Sequence, residues 1–510
     1  MLDAKGFDVY ASNMKTVSAR MLMLVADANE LDVLAGDISV AYLYAENAMK
    51  VLVRLGHEFT LYDPNIKEGQ YAIVVRAQYG QPTSANRWHA HLANNLLNLG
   101  FRPSRYDRDV WIRYNKRHDL YDYVGTHTDD LLVCSKDAKS IFDALQEIYD
   151  IKKVGPPTFH LGCNYKKIDG RWHIGTVTYV REALKKVVDI LGIAQTDGEP
   201  ALGVEKIPMN TRLEPEMDES PLLDADGHRN YQALIGIAQW LVTCGRTDIH
   251  YAVCSLSRFS SAPRKGHLKA AKTIYQYLNG RQEIWNPIDS GKFTTMKDKT
   301  SGECAVLDLP NKDEEHIDWA MYYPDAKEMH GRELDLQHPK PKGAKLTSAV
   351  YFDSNFAHDK KTRRSVTGMI PMIGRTAVGS MSKRQGAIAT STYSAELCAA
   401  KQRTEEAVAL RYMMRSLGVE PDGPTLLIGD NLGSLTSATF PGSECKKRHQ
   451  NIAYHYTREC AAASITQVRK IHTDFNPSDM NTKALDKEKL DLFINYLFYA
   501  PKQGRSVARY

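Results

Sequence analysis

Apolar positions along this chain recur with the periods of both helices and strands. Over residues 84–100, Trp88, Leu92, Leu96 and Leu99 fall at spacings of four, four and three, the stripe of an amphipathic helix, with Ser84 as candidate N-cap and Gly100 as the stop. A second helix is predicted over 137–149 through Ile141, Leu145 and Ile148, and between the two the segment 121–134 reads as two short strands. Together these predict an α+β layer. Farther on, 349–353 and 425–430 are short apolar runs that each end in an aspartate, as suits strands whose carboxyl ends carry a site. Between them 394–417 reads as a long helix ended by Gly418. Residues 281–345, rich in Pro, Asp, Lys and Gly and without period, are expected to tether two lobes. There is no internal repeat. The most apolar stretch near the N-terminus, 21–26, is too short to span a membrane and lacks the flanks of a signal peptide.

Size refines the picture: 510 residues, 43% of them hydrophobic, predict roughly three or four domains. With Lys+Arg 66 against Asp+Glu 61 the net charge is only +5, so a nucleic-acid partner would be held by local basic patches. The eight cysteines are scattered, at neither metal-ligand nor disulfide-framework spacing, which suits buried thiols in a reducing compartment.

The chemistry lies in the carboxylates. Asp37 interrupts the apolar run LDVLAGDISVAYLYA, where a charge needs a partner or a metal. Asp129 and Asp130, in YVGTHTDDLLVC, fall at the tight end of a hairpin. Adjacent carboxylates repel unless a divalent cation bridges them, and nucleotidyl transfer uses such clusters to hold two ions ~3.5–4 Å apart. An isolated Asp-Asp pair also suits a polar turn. A second set, Asp353, Glu396, Asp430 and Asp479, would sit on a strand, a helix, a strand and a late loop. Each suits a surface carboxylate by itself; in that order they suit a two-metal nuclease. All-oxygen ligation favours Mg²⁺ or Mn²⁺ over zinc.

The stretches GDISVAYLYA (36–45), QYG with RWHAHL (78–92), GFRPSRYDRDVWIR (100–113), THTDDLLVCSKD (126–137) and FHLG (159–162) resemble the reverse transcriptase of copia-type retrotransposons, on a branch with Thr-His-x-Asp-Asp where relatives have aromatic-x-Asp-Asp. The likeness continues through 231–271 and into RRSVTG (363–368), SKRQ (382–385) and KKRHQNIAYHYTREC (446–460), which resemble the ribonuclease H domain of those elements. The resemblance implies a multidomain α+β and α/β chain. It would comprise a right-hand polymerase palm, ferredoxin-like and with partial fingers, over 1–165, a thumb or connection over 166–280, a linker over 281–345, a ribonuclease H-like mixed-sheet domain over 346–495 and a tail over 496–510.

By the same resemblance the chain is a Pol fragment, an RNA-directed DNA polymerase with a ribonuclease H that cuts the RNA strand of RNA–DNA hybrids. Asp37, Asp129 and Asp130 would be the polymerase triad and Tyr42 the aromatic that selects deoxynucleotides. Asp353, Glu396, Asp430 and Asp479 would be the nuclease ligands, with two Mg²⁺ (or Mn²⁺) ions per active site. Lys446, Lys447 and Arg448 would contact phosphates, and His449 and His455 would serve structure or the hybrid. The implied partners are an RNA template, a DNA primer, the hybrid and deoxynucleoside triphosphates, with no membrane and with a homodimer left open. The expected location is cytoplasmic, including a virus-like particle, with nuclear access. In 231–271, Arg246 with Asp248 and Arg258 with His267 are expected to tie helices together. Two departures support a second reading, a remnant that binds nucleic acid without DNA synthesis: the family has finger strands before the position of Met1, and Gln81–Pro82 stands where it has Leu-Lys. A small-ester hydrolase would use paired carboxylates, but not two separate acidic clusters.

Overall fold

The computed structural model describes residues 9–193, 195–196, 199–200, 202–297, 305–307, 319–326, 338–389, 391–431 and 451–501. Two compact units emerge, Met1–Leu22 with Glu30–Pro157, and Met23–Asn29 with Thr158–Tyr510. Helix α1 (Thr16–Asn29) contributes residues to both, and the apolar run 21–26 lies within its buried part, 18–26.

In the first unit the strands β1 (Asp32–Ile38), β4 (Arg102–Pro103), β5 (Val110–Asn115), β6 (Leu120–His127), β7 (Asp130–Ser135) and β8 (Ile151–Gly155) form one antiparallel sheet in the order β4-β5-β6-β7-β1-β8. A separate ribbon pairs β2 (Glu46–Arg54) with β3 (Tyr71–Arg76). Helix α2 (Ser84–Asn98) buries Trp88, Leu92 and Leu96 against Val124, Leu131 and Val133 of the sheet's core, as the spacing predicts. Thr83 takes the cap position, and the Ser84 hydroxyl donates to the Gln78 carbonyl at 2.6 Å. Helix α3 (Ala138–Gln146) lies against β1 because residue 36 is glycine: a Cβ there would meet Phe142 Cε1 at 2.7 Å and Ile151 Cγ2 at 2.9 Å.

The second unit opens with β9 (Phe159–His160), β10 (Cys163–Ile168) and β11 (Arg171–Gly175), then helices α4 (Val177–Ile190), α5 (Ala225–Thr243), α6 (His250–Ser257) and α7 (Lys265–Gly280). Arg246 and Asp248 form a fully buried ion pair at 2.7 Å that also accepts the Tyr277 hydroxyl at 2.8 Å. Arg258 does not reach His267; it pairs with Asp359 at 2.9 Å, while His267 stacks on Phe259 with ring centroids 4.1 Å apart. The stretch expected as a tether begins with ordered structure, because its few apolar side chains find a sheet edge. There β12 (Trp285–Pro287) pairs with β11, Ile288 is buried, and Asp289 holds Arg171 at 2.7 Å.

Next come β13 (Val306–Leu307), β14 (Ser348–Asn355), β15 (Val366–Ile373), β16 (Thr376–Ala377), β17 (Met381–Arg384), α8 (Thr392–Ser416), β18 (Thr425–Gly429), α9 (Asn451–Ala462), β19 (Thr466–Ile471) and α10 (Lys487–Leu497). The strands form a mixed sheet in the order β13-β19-β18-β14-β15-β16, with β17 also on β15. The pairs β14–β18 and β18–β19 are parallel and β14–β15 is antiparallel. Among the described residues all six cysteines are free, and no helix is long and apolar enough to cross a membrane.

Candidate active sites

The first cluster is made by two strand ends. Asp37, next to last in β1, is the cross-strand partner of Asp130, which opens β7, and Thr128–Asp129 is the two-residue turn between β6 and β7. Thr128 adopts φ 53°, a left-handed conformation costly for a β-branched residue, so its surroundings must impose it. Its N–H donates to Asn13 Oδ1 at 3.0 Å, its carbonyl accepts the Trp88 indole N–H at 2.6 Å, and the Ile38 N–H bonds the Asp129 carbonyl at 2.9 Å. The turn therefore presents Asp129 and Asp130 beside Asp37. Burial, then Asp129 and Asp37, push the Asp130 carboxyl up to about 6, with Lys153 opposing. Tyr42 lies in the 3₁₀ turn Ala41–Tyr44, its ring 4.7 Å from that of Tyr79; burial and then Asp129 raise its hydroxyl pKa. A cavity of about 280 Å³ is lined by Tyr42, Trp88, His89, Asp109, Thr126 and Thr128 among others.

The second cluster is built more deeply. Asp353 lies inside β14, two residues short of its end, opposite Gly368 of β15. A Cβ at 368 would meet Thr482 Cγ2 at 2.6 Å, the Ser478 carbonyl oxygen at 2.8 Å and Asn481 Cβ at 2.9 Å. Glycine thus lets the 3₁₀ turn Pro477–Asn481 lie directly on β15. The side-chain amide of Asn476 donates to the Phe352 carbonyl and that of Asn481 to the Met369 carbonyl, both at 2.9 Å, so the turn is pinned to a cross-strand pair. This brings the Thr482 hydroxyl onto Asp353 Oδ2 and Asp479 into the same field. Burial, then Asp479 and Asp430, push Asp353 up to about 7. Glu396, in the second turn of α8, is pushed up to about 8 by burial and then Asp353, with Arg403 opposing. Asp430 follows β18 directly and is half-buried. Asp479 is wholly buried, with Lys483 and Lys489 at 3.0 and 2.8 Å from its two oxygens.

Gly368, which reads in sequence as a glycine turn after the basic stretch, lies instead inside β15, and sequence reasoning passed over Asn476, Asn481, Thr482, Lys483 and Lys489; the polar density of NPSDMNTK before an apolar helix was the available signal. It also passed over Gln385, whose buried amide donates to Thr367 Oγ1 and the Ala395 carbonyl, both at 3.0 Å, joining β15 to the start of α8 beside Glu396. Lys446, Lys447, Arg448 and His449 lie outside the described residues. His455 Nδ1 is 2.7 Å from the Tyr323 hydroxyl.

Among the described residues no three acidic, His or Cys side chains stand at metal-ligand spacing. The donor chemistry nevertheless suits hard divalent cations, since both sets are carboxylate oxygens and neighbouring carboxylates help raise the pKa of Asp130, Asp353 and Glu396. Asp37, Asp129 and Asp130, and Asp353, Glu396 and Asp430, are the groups that would hold them; Asp479 already faces two lysines.

Residues 3–197 match the family described as reverse transcriptase (RNA-dependent DNA polymerase). The chain is similar to the retrovirus-related Pol polyprotein from transposon TNT 1-94 of Nicotiana tabacum, 22% identical over 503 residues that cover 96% of this chain and 32% of that protein. The corresponding polyprotein from transposon RE1 of Arabidopsis thaliana is 23% identical, covering 95% of this chain and 29% of its own length. The chain spans about a third of the length of these curated relatives. A solved structure of a foamy viral protease-reverse transcriptase in complex with an RNA/DNA hybrid aligns over 91% of this chain and 67% of its own, at 11% identity and a TM-score of 0.27, too slight a likeness to argue from.

Proposed function

We propose that this chain, a relative of the Pol polyproteins of copia-type retrotransposons, is an RNA-directed DNA polymerase joined to a ribonuclease H that cuts the RNA strand of RNA–DNA hybrids. The observation that carries the reading is the presence of two separate acidic clusters, one per compact unit, with Asp130 raised above its ordinary pKa in the first and Asp353 and Glu396 in the second. The first falls inside the segment with the reverse transcriptase match. Mg²⁺ or Mn²⁺ held at these acids would supply the charge that activates an attacking oxygen and stabilises a leaving one.

The chain's own residues would do the rest. Asp37, Asp129 and Asp130 face the primer end and the incoming triphosphate, and the Tyr42 ring bounds the sugar and disfavours a 2′-hydroxyl. In the second unit Thr482 fixes the orientation of Asp353, and Lys483 and Lys489 hold Asp479. The partners are a primed RNA template, deoxynucleoside triphosphates and the resulting hybrid, whose A-like shape is readable through backbone and 2′-hydroxyl groups. One chain would keep the nuclease at high effective concentration on the polymerase's product.

The test is one gel. The purified chain is incubated with Mg²⁺, a primed RNA template with deoxynucleotides and a labelled hybrid, beside Asp129→Asn and Asp430→Asn. Extension lost only in the first variant and RNA cleavage lost only in the second is the expected result; neither activity in a folded wild-type chain would leave only a nucleic-acid-binding remnant.

A further inference from the structure

From Lys360 to Ala395 the chain carries seven basic residues and no acidic one, although its net charge over 510 residues is only +5. Most of that charge is gathered at one place in the second unit. The loop between β14 and β15 folds back on itself: the Arg363 N–H bonds the Asp359 carbonyl at 2.7 Å, the Asp359 N–H bonds the Arg364 carbonyl at 3.1 Å, and the Thr362 N–H bonds Asp359 Oδ1 at 2.8 Å. Buried Asp359 also accepts both Arg258 and Arg384, each at 2.9 Å, so one carboxylate serves two guanidiniums and the loop is anchored to α6 and β17. The loop's other acidic neighbours are taken by Lys360, whose N–H donates to Glu216 Oε1 at 2.9 Å and whose ammonium pairs with Glu214. Lys361, Arg363, Arg364 and Lys383 make no ion pair among the described residues, and all but the half-buried Arg364 are exposed.

Register fixes where these cations lie. Asp353, Gly368 and Ser382 are in one row across β14, β15 and β17; in the next row Ser354, Thr367 and Lys383 are neighbours. Side chains alternate faces along a strand, so Lys383 shares the face of Ser354 and Thr367, on which α8 carries Glu396, and at ~4.8 Å between strands it lies about 10 Å across the sheet from β14. A nucleic-acid strand carries one charge per ~3.4 Å of helix axis, so that separation is about three nucleotides. A preorganised, uncompensated basic rim at such a distance from an acidic cluster fits a phosphate backbone that passes from one to the other.

We propose that the loop 359–364 and Lys383 form a backbone-tracking surface that holds one sugar-phosphate strand of an RNA–DNA hybrid beside the Asp353 cluster. The proposal rests on the nuclease reading and names the contact that would hold its substrate.

It is tested with the full chain in EDTA, by fluorescence anisotropy of a labelled RNA–DNA hybrid across a salt series. The variants are Lys361→Gln/Arg363→Gln/Arg364→Gln/Lys383→Gln, the smaller Arg363→Gln/Lys383→Gln, and a charge-matched control, Lys185→Gln/Lys186→Gln, on the exposed side of α4. Because the slope of log affinity against log salt changes by about 0.9 per phosphate contact, the fourfold variant is expected to flatten it by about 2–4 and so to weaken binding about 100- to 10,000-fold near 0.1 M salt. The control should keep the wild-type slope. An unchanged slope in the fourfold variant, or a control that loses as much as Arg363→Gln/Lys383→Gln, overturns the proposal. Cleavage is read separately with Mg²⁺: a wild type that binds in this charge-dependent way but cuts no hybrid refutes the nuclease reading and leaves the surface standing.

Discussion

Replacing Gly368 by alanine should damage the second cluster without touching its acids. The added Cβ would fall 2.6 Å from Thr482 Cγ2 and 2.8 Å from the Ser478 carbonyl oxygen, whereas carbon atoms rest at about 3.5–4.0 Å. The turn Pro477–Asn481 must therefore retreat by the better part of an ångström, yet Asn476 and Asn481 tie it to β14 and β15. Overpacking of this kind costs about 1–3 kcal/mol, and the lower unfolded-state entropy of alanine returns about 0.4–1. A net loss of about 1–2 kcal/mol lowers the melting temperature of the second unit, which is larger than a typical domain, by about 1–3 °C. The functional loss is larger. Retreat withdraws the Thr482 hydroxyl from Asp353, and a hydrogen bond to a charged group is worth about 1.5–3 kcal/mol, so hybrid cleavage should fall about 10- to 100-fold. Primer extension, which draws on the other unit, should stay within twofold. Gly379→Ala, whose Cβ would meet only Pro371 Cγ at 3.4 Å, is the control expected to do little. Calorimetry and a hybrid-cleavage time course read both effects; a Gly368→Ala protein that melts and cleaves like wild type would show that the close approach is not needed.

Three further outcomes are expected. Asp353 and Glu396 are held above their ordinary 3.8 and 4.5, so the folded chain binds protons that the unfolded chain releases; in EDTA the second unit should lose stability as pH rises from about 4 through 8, and Mg²⁺ should restore part of it, which a flat melting profile would contradict. Asp248→Ala leaves the Arg246 guanidinium buried and unpaired and should cost about 3–5 kcal/mol in urea unfolding, against under about 1 if the pair is incidental. Trp88→Phe strands the Thr128 carbonyl, costing about 1–3 kcal/mol, and should slow primer extension while sparing hybrid cleavage; equal slowing of both would refute the separation of the sites.

How much of this was legible depended on whether a feature is local. The stripe Trp88, Leu92, Leu96 gave α2 within two residues at its far end, because helix period and burial coincide there. Residues 394–417 likewise became Thr392–Ser416, capped by the Ser391 hydroxyl. Asp353 was expected to end its strand but sits within β14, since strand pairing with β15 continues past it to Asn355 and an apolar run stops short of that. The two-residue turn at Thr128–Asp129 could be read from the Asp-Asp pair, but not its left-handed threonine, which Asn13 and Trp88 impose from distant positions. The Asn476 and Asn481 pins and the space left by Gly368 are likewise tertiary: nothing within NPSDMNTK says which carbonyls its amides will meet.

The two clusters also hold their charge differently, and this separates their responses to pH. At the first, Asp130 is pushed only to about 6, so that carboxyl is largely ionised at neutral pH and a cation need displace little of its proton. At the second, Asp353 at about 7 and Glu396 at about 8 retain protons there, because β14 and α8 bury both groups among like charges. Ligands must shed those protons before a cation binds, so cation affinity at the second cluster should climb with pH through about 8 while the first has already levelled off near 7. At subsaturating Mg²⁺, hybrid cleavage should therefore keep rising between about pH 7 and 8.5 where primer extension is flat, and Glu396→Gln, which cannot retain that proton, should flatten whatever cleavage profile remains. Parallel pH profiles for the two activities would mean that the buried acids are already ionised in the working enzyme, and that α8 moves to hydrate Glu396 before catalysis.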